Sequence, residues 1–70
     1  MNKDILKGHW KEIKGEAKKK WGNLNDDDFL EIEGTEEKLI GKLQKKYGYA
    51  RERAEKEYED FMSHYREKHS

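Results

Sequence analysis

What most constrains this chain is where its few apolar side chains fall. Leu6, Trp10, Ile13, Ala17 and Trp21 recur at steps of four, three, four and four. That interval gathers side chains onto one stripe of an α-helix, whereas a strand would need alternation. Ala50, Ala54, Tyr58, Phe61 and Tyr65 repeat the pattern toward the other end, and between them lie two shorter clusters, Phe29, Leu30 and Ile32, then Leu39, Ile40, Leu43 and Tyr47. No Pro interrupts any of these, and six Gly punctuate a chain otherwise filled with charged helix formers. The expected fold is therefore all-α: a small four-helix domain of two helical hairpins packed against each other.

The boundaries follow from local chemistry. Gly22 reads as the stop of the first helix. Asn25 or Asp26 caps a short second helix that Gly34 ends, with Asp27 and Asp28 placed at its positive N-terminal dipole. Thr35 is a good N-cap for the third, which Gly48 terminates. A fourth follows almost at once, carrying Arg51/Glu55, Glu52/Lys56 and Arg53/Glu57 pairs on its open faces. Each such pair adds about 0.2–0.5 kcal/mol without needing a tertiary partner. His64 to Ser70 is expected to fray. A weak internal repeat sets Gly15 to Gly22 against Gly41 to Gly48, each reading as a helix ending with Gly on a turn, a Lys pair, an aromatic and a stopping Gly. Two helices stopping in the same chemically sensible way explain it equally well.

Seventy residues cannot divide so few apolar groups between two cores, so residues 1–70 form one domain. With 46% charged against 31% hydrophobic residues the core is marginal, worth about 3–5 kcal/mol for a chain of this size. Lys plus Arg and Asp plus Glu are both 16, so no overall field draws the protein to nucleic acid or anionic lipid. Cys is absent, which removes disulfides and thiolate chemistry. Met1 to Trp10 lacks the apolar run of a signal peptide, and no stretch approaches the roughly 20 apolar residues that span a bilayer. A cytoplasmic monomer is the expectation.

Chemistry is hard to find in these residues. His9, His64 and His69 are not spaced to share a helical face, so no metal site is expected. Asn23, Asn25 and Asp27 mimic the opening of a calcium loop, but Asp28 stands where its Gly belongs and Gly34 where its bidentate Glu belongs. The glycines form no phosphate loop, and Ser63 and Ser70, lying toward the tail, have no nucleophile context. Neither a cofactor nor a small-molecule substrate is expected, and the chain reads as a protein that is not an enzyme.

One feature invites a functional reading. Lys3, Lys7, Lys11, Lys14 and Lys18 form a stripe bordering the apolar face of the first helix, with Trp10 and Trp21 at its rim. Such a cationic, aromatic-edged surface suits nucleic acid or anionic lipid. The plainer reading has the lysine stems covering the edges of a core while their ammonium groups stay hydrated. It is preferred because Glu12, Glu16 and Asp26 to Asp28 can offset the charge locally.

The ordered set Gly8-His9-Trp10-Lys11, Lys14-Gly15, Trp21-Gly22-Asn23-Leu24, Asp26-Asp27-Asp28, Glu33-Gly34, Gly41-Lys42-Leu43-Gln44 and Tyr47-Gly48-Tyr49 resembles the CsbD-like family along nearly the whole chain. Asn25 stands where the resemblance leads one to expect Thr, and Phe61 where Trp is common. The resemblance implies a small bacterial protein associated with general stress, a fold of two packed hairpins, and no catalytic residue to transfer. The leading expectation is thus a non-catalytic stress-associated protein that stays soluble and protects or binds macromolecules. The alternatives are a weak nucleic-acid- or anionic-lipid-binding module on the basic first helix and a helical partner-docking protein.

Overall fold

The computed structural model describes residues 3–69, with side chains from 6 to 68. It is all-helical across them, in the order α1 (Lys3–Gly8), α2 (Trp10–Lys20), α3 (Asp26–Ile32), α4 (Glu36–Tyr47) and α5 (Arg51–His69). Five segments replace the four expected because the first helix breaks at His9, whose φ of −118° and ψ of 28° leave the helical region. Gly8, a poor helix former, precedes the break, and the His9 carbonyl restarts the ladder by accepting the Ile13 N–H at 2.9 Å.

α2 ends at Lys20 with Trp21 as its C-cap at φ −116° and ψ 80°, so Gly22 follows directly on the helix end but without the left-handed conformation of a glycine stop. Glycine's freedom is used elsewhere. Glu33 (φ 52°) and Gly34 (φ 73°) are consecutive left-handed residues that reverse the chain between α3 and α4, and Gly48 (φ 70°) ends α4 by giving its N–H to the Gln44 carbonyl at 2.9 Å. Gly15 and Gly41, expected on turns, lie inside α2 and α4. With unlike C-caps at Trp21 and Gly48 as well, the two halves of the internal repeat are not conformational equivalents.

Seven-residue α3 is too short to persist alone and is held by its ends. Asn25 Oδ1 accepts the Asp28 N–H at 2.9 Å, while Asp28 Oδ2 accepts the Asn25 N–H at 3.0 Å, a reciprocal capping box. Thr35 occupies the N-cap position of α4, but its side chain makes no capping hydrogen bond.

Every helix contributes to one core. Leu6 comes from α1, Ile13 and Ala17 from α2, Phe29 and Ile32 from α3, Leu39, Ile40 and Leu43 from α4, and Ala54, Tyr58, Phe61, Met62 and Tyr65 from α5. Trp21 and Leu24 close it from the α2–α3 loop. The Cα radius of gyration, 11.0 Å, equals the roughly 11 Å expected of a compact chain of this length, so the helices are gathered around that core rather than strung out. α5 continues to His69 through the segment where fraying was expected to begin, and Tyr65 within it is buried. The side chain of His69 and residue Ser70 lie outside the described part.

Candidate functional site

The lysine helix was the sequence's candidate, and its placement depends on what each flank of α2 meets. At about 100° per residue, Lys11, Lys14 and Lys18 fall within about 60° of one another, while Glu12 and Glu16 fall on the opposite side of the buried Ile13 and Ala17. The acidic flank faces α5. Glu12 accepts the Tyr65 hydroxyl at 2.6 Å, Glu16 meets Lys68 at 3.5 Å, and Lys20 on the same side meets Glu57 at 3.8 Å. Burial, with the Glu12 contact, pushes the Tyr65 hydroxyl up to about 12.

The lysine flank meets α3 and the turn that follows it at two points. At one end Lys18 Nζ lies 2.6 Å from Asp26. At the other, Gly34 is so close that an added Cβ would sit 3.3 Å from Trp10 Cγ and 3.4 Å from the Lys7 Cα. The Lys18 ammonium holds Asp26 below its ordinary carboxylate range, and Lys14 adds to the effect.

These contacts revise the offsetting of charge inferred from the sequence. Of the five acids invoked, Asp26 alone pairs with the lysine flank. Glu12 and Glu16 are turned to α5, and Asp28 is turned to α4, where Lys42 and Lys46 lie 3.2 and 3.3 Å from its oxygens. Among the described residues, Lys7, Lys11 and Lys14 have no carboxylate within ion-pair distance. Lys7, Lys11 and Lys18 are exposed and Lys14 is half-buried, while the side chain of Lys3 lies outside the described part.

The two tryptophans are placed differently. Trp21 is buried, its ring 4.8 Å from that of Phe61. Trp10 is half-buried, 6.2 Å from Phe29 and seated over Gly34. Both are committed to packing, leaving neither face of Trp21 free for a stacked base.

A cluster that sequence reasoning missed lies between α3 and α4. Asp28 is 4% exposed, and besides its cap it pairs with Lys42 and Lys46, Lys42 also meeting Glu31. The Asn25 N–H, with both ammonium groups, keeps the Asp28 carboxyl below its ordinary value of 3.8. The Asn-x-x-Asp spacing was the available signal, being a capping box in short form. An open cleft of about 670 Å³ between α2 and α5 is lined by residues of both charges, including Glu16, Lys20, Asp60, His64 and Lys68. No cluster of three or more His, Cys, Asp or Glu that could hold a metal occurs among the described residues.

The arrangement defines a small all-helical protein whose polar chemistry lies in ion pairs and helix caps on the outside of one core. The chain belongs to the CsbD-like family, which matches residues 4–56. It is 54% identical over 66 residues to a UPF0337 protein of Protochlamydia amoebophila, covering 94% of this chain and 100% of that one. It is 51% identical over 61 residues to the UPF0337 protein YjbJ of Escherichia coli, covering 87% and 88%. A UPF0337 protein of Pseudomonas aeruginosa is likewise 51% identical over 61 residues, covering 87% and 94%. No solved structure matches the chain.

Proposed function

We propose that this is a non-catalytic, general-stress-associated bacterial protein, a cytoplasmic monomer that works through its hydrated exterior by shielding other macromolecules. The observation that carries this reading is the division between interior and surface. Nearly every large apolar side chain is taken into the core, and Leu30 is the exception among the described residues. What faces water is a close mixture of both charges, as in the Arg51 pairs with Glu55 and Glu37 and the Lys56–Asp60 pair. At zero net charge there is little mutual repulsion, so solubility rests on that hydration and on the scarcity of apolar patches.

The titrating groups support the non-catalytic reading. Asp26, Asp28 and Glu31 are all shifted down, by Lys18, by the Asn25 N–H with two lysines, and by Lys42 respectively. That direction keeps a carboxylate ionised at neutral pH, opposite to what a carboxylic proton donor needs.

The test is to heat or dry a labile enzyme with the purified protein, beside an equal mass of an inert globular protein. Enzyme activity should survive better with this protein. Equal survival in the two samples would reject the shielding role.

A further inference from the structure

Long side chains bridge α2 and α5, Glu16 reaching Lys68 at 3.5 Å and Lys20 reaching Glu57 at 3.8 Å. Along α5 the stretch from Asp60 to Tyr65 lies between these two bridges, and it lines the cleft of about 670 Å³. That volume is within the roughly 300–1,000 Å³ of small-molecule sites. Phe61 and Tyr65 are the two buried lining residues, so their rings form the floor and charged residues form the rim. The Tyr65 hydroxyl is given to Glu12, which leaves its ring as the surface offered. Trp21 stands behind, its ring 4.8 Å from that of Phe61. A flat apolar body laid here meets aromatic partners suited to offset or tilted packing.

The rim sets the charge of what can enter. Each carboxylate that lines the cleft already has a cation, Glu16 having Lys68 and Asp60 having Lys56 at 3.8 Å. The ammonium groups on the α2 edge are not matched in the same way. Among the described residues Lys19 has no carboxylate within ion-pair distance, and Lys20 meets Glu57, which also serves Arg53 at 4.0 Å. The surplus is cationic, and it lies beside the aromatic floor.

We propose that this cleft binds a small aromatic monocarboxylate, its ring system laid on Phe61 and Tyr65 and its carboxylate between Lys19 and Lys20. A cation is repelled by the surplus on the α2 edge, and a neutral ring leaves it unused. A compact anion such as acetate gains nothing from the floor. Binding of this kind is independent of shielding, so it stands or falls separately from that role.

The experiment is a nuclear magnetic resonance titration of the isotope-labelled protein with naphthoate, followed through the two indole N–H signals, with Trp10→Phe to assign them. The Trp21 signal should move, with half-saturation at about 1 mM for a ligand of this size in an open site. Trp10, packed on Gly34 and Phe29 outside the cleft, should not respond. The uncharged isostere naphthamide should bind about fivefold more weakly, and naphthylmethylammonium more weakly still. Lys19→Gln/Lys20→Gln should weaken naphthoate by about fivefold as well. Lys38→Gln/Lys45→Gln, an equal charge change away from the cleft, should bind as the parent does, and circular dichroism should show every variant helical. The proposal is overturned if the Trp21 signal is unmoved at about 10 mM naphthoate, well above the expected half-saturation. It is overturned equally by naphthamide or the ammonium compound binding as tightly as naphthoate, by the Lys19/Lys20 variant binding as the parent does, or by shifts at Trp10 as large as those at Trp21, which mark non-specific adsorption.

Discussion

Removing the Asp28 carboxylate tests whether the α3–α4 junction is held electrostatically or only by its apolar neighbours. The side chain accepts the Asn25 N–H at 3.0 Å and faces Lys42 and Lys46 at 3.2 and 3.3 Å, with 6% of its surface open to water. An N-terminal cap of this kind is worth about 1 kcal/mol. Hydrogen bonds to charged partners are worth about 1.5–3 kcal/mol each when fully buried. They are discounted here because Lys42 keeps Glu31 and the Lys46 side chain, 32% exposed, recovers water. Asp28→Ala should therefore cost about 2–3 kcal/mol, and Asp28→Asn, which keeps an oxygen for the cap, about 1 kcal/mol. Against a total near 3–5 kcal/mol for a domain this small, the alanine variant should lose half or more of its stability. Urea titration followed by far-ultraviolet circular dichroism reads this directly. An alanine variant with the parent's midpoint would refute the reasoning. The pH dependence gives a second check. With the folded carboxyl below its ordinary 3.8, its contribution is complete above that value and is lost as pH falls through the folded value. Parent and Asp28→Asn should thus converge in acid, and a gap undiminished at about pH 2 would place the stabilisation elsewhere.

Two further perturbations follow from the same geometry. Gly34→Ala must adopt a left-handed φ of 73° and press on Trp10, so it should cost about 2–3 kcal/mol, whereas Gly48→Ala, at φ 70° but in open space, should cost about 1 kcal/mol; thermal melts giving equal losses would deny the close approach at Trp10. Burial pushes the Tyr58 hydroxyl up to about 12, so the stability it contributes is present below its ordinary value of 10.0 and lost as pH rises toward 12. Tyr58→Phe should flatten that alkaline loss in unfolding titrations and, because the hydroxyl has no partner among the described protein groups, cost less than about 1 kcal/mol at neutral pH.

The periodic stripes were legible because helical burial is written at intervals of three and four. Leu6, Ile13, Ala17, Leu39, Ile40, Leu43, Ala54, Tyr58, Phe61 and Tyr65 all enter the core. The misplacements have particular causes. Ala50 is exposed because α5 begins only at Arg51, where the Ala50 carbonyl accepts the Ala54 N–H. Leu30 is exposed because, at about 100° per residue, it falls on the far side of α3 from the buried Asp28, Phe29 and Ile32. Met62 was overlooked because it sits one position beyond the counted stripe, yet α5 is broad enough in contact to bury it beside Phe61. The break at His9 left no trace in periodicity, since a single non-helical residue hardly disturbs the count. For the candidate site, the lysines could be placed on one edge of the helix from spacing. Which acids answered them could not, because Glu12 and Asp28 are claimed by Tyr65, Lys42 and Lys46, all distant in sequence or on another helix.

α3 is fastened like a rung, clamped at Asn25 and Asp28 on one side and wedged by Glu33 and Gly34 under an indole on the other. A rung secured at its two joints tolerates change at mid-span. The outward residue there can be exchanged with little loss of fold, so selection is free to tune how sticky that spot is without renegotiating the architecture beneath it.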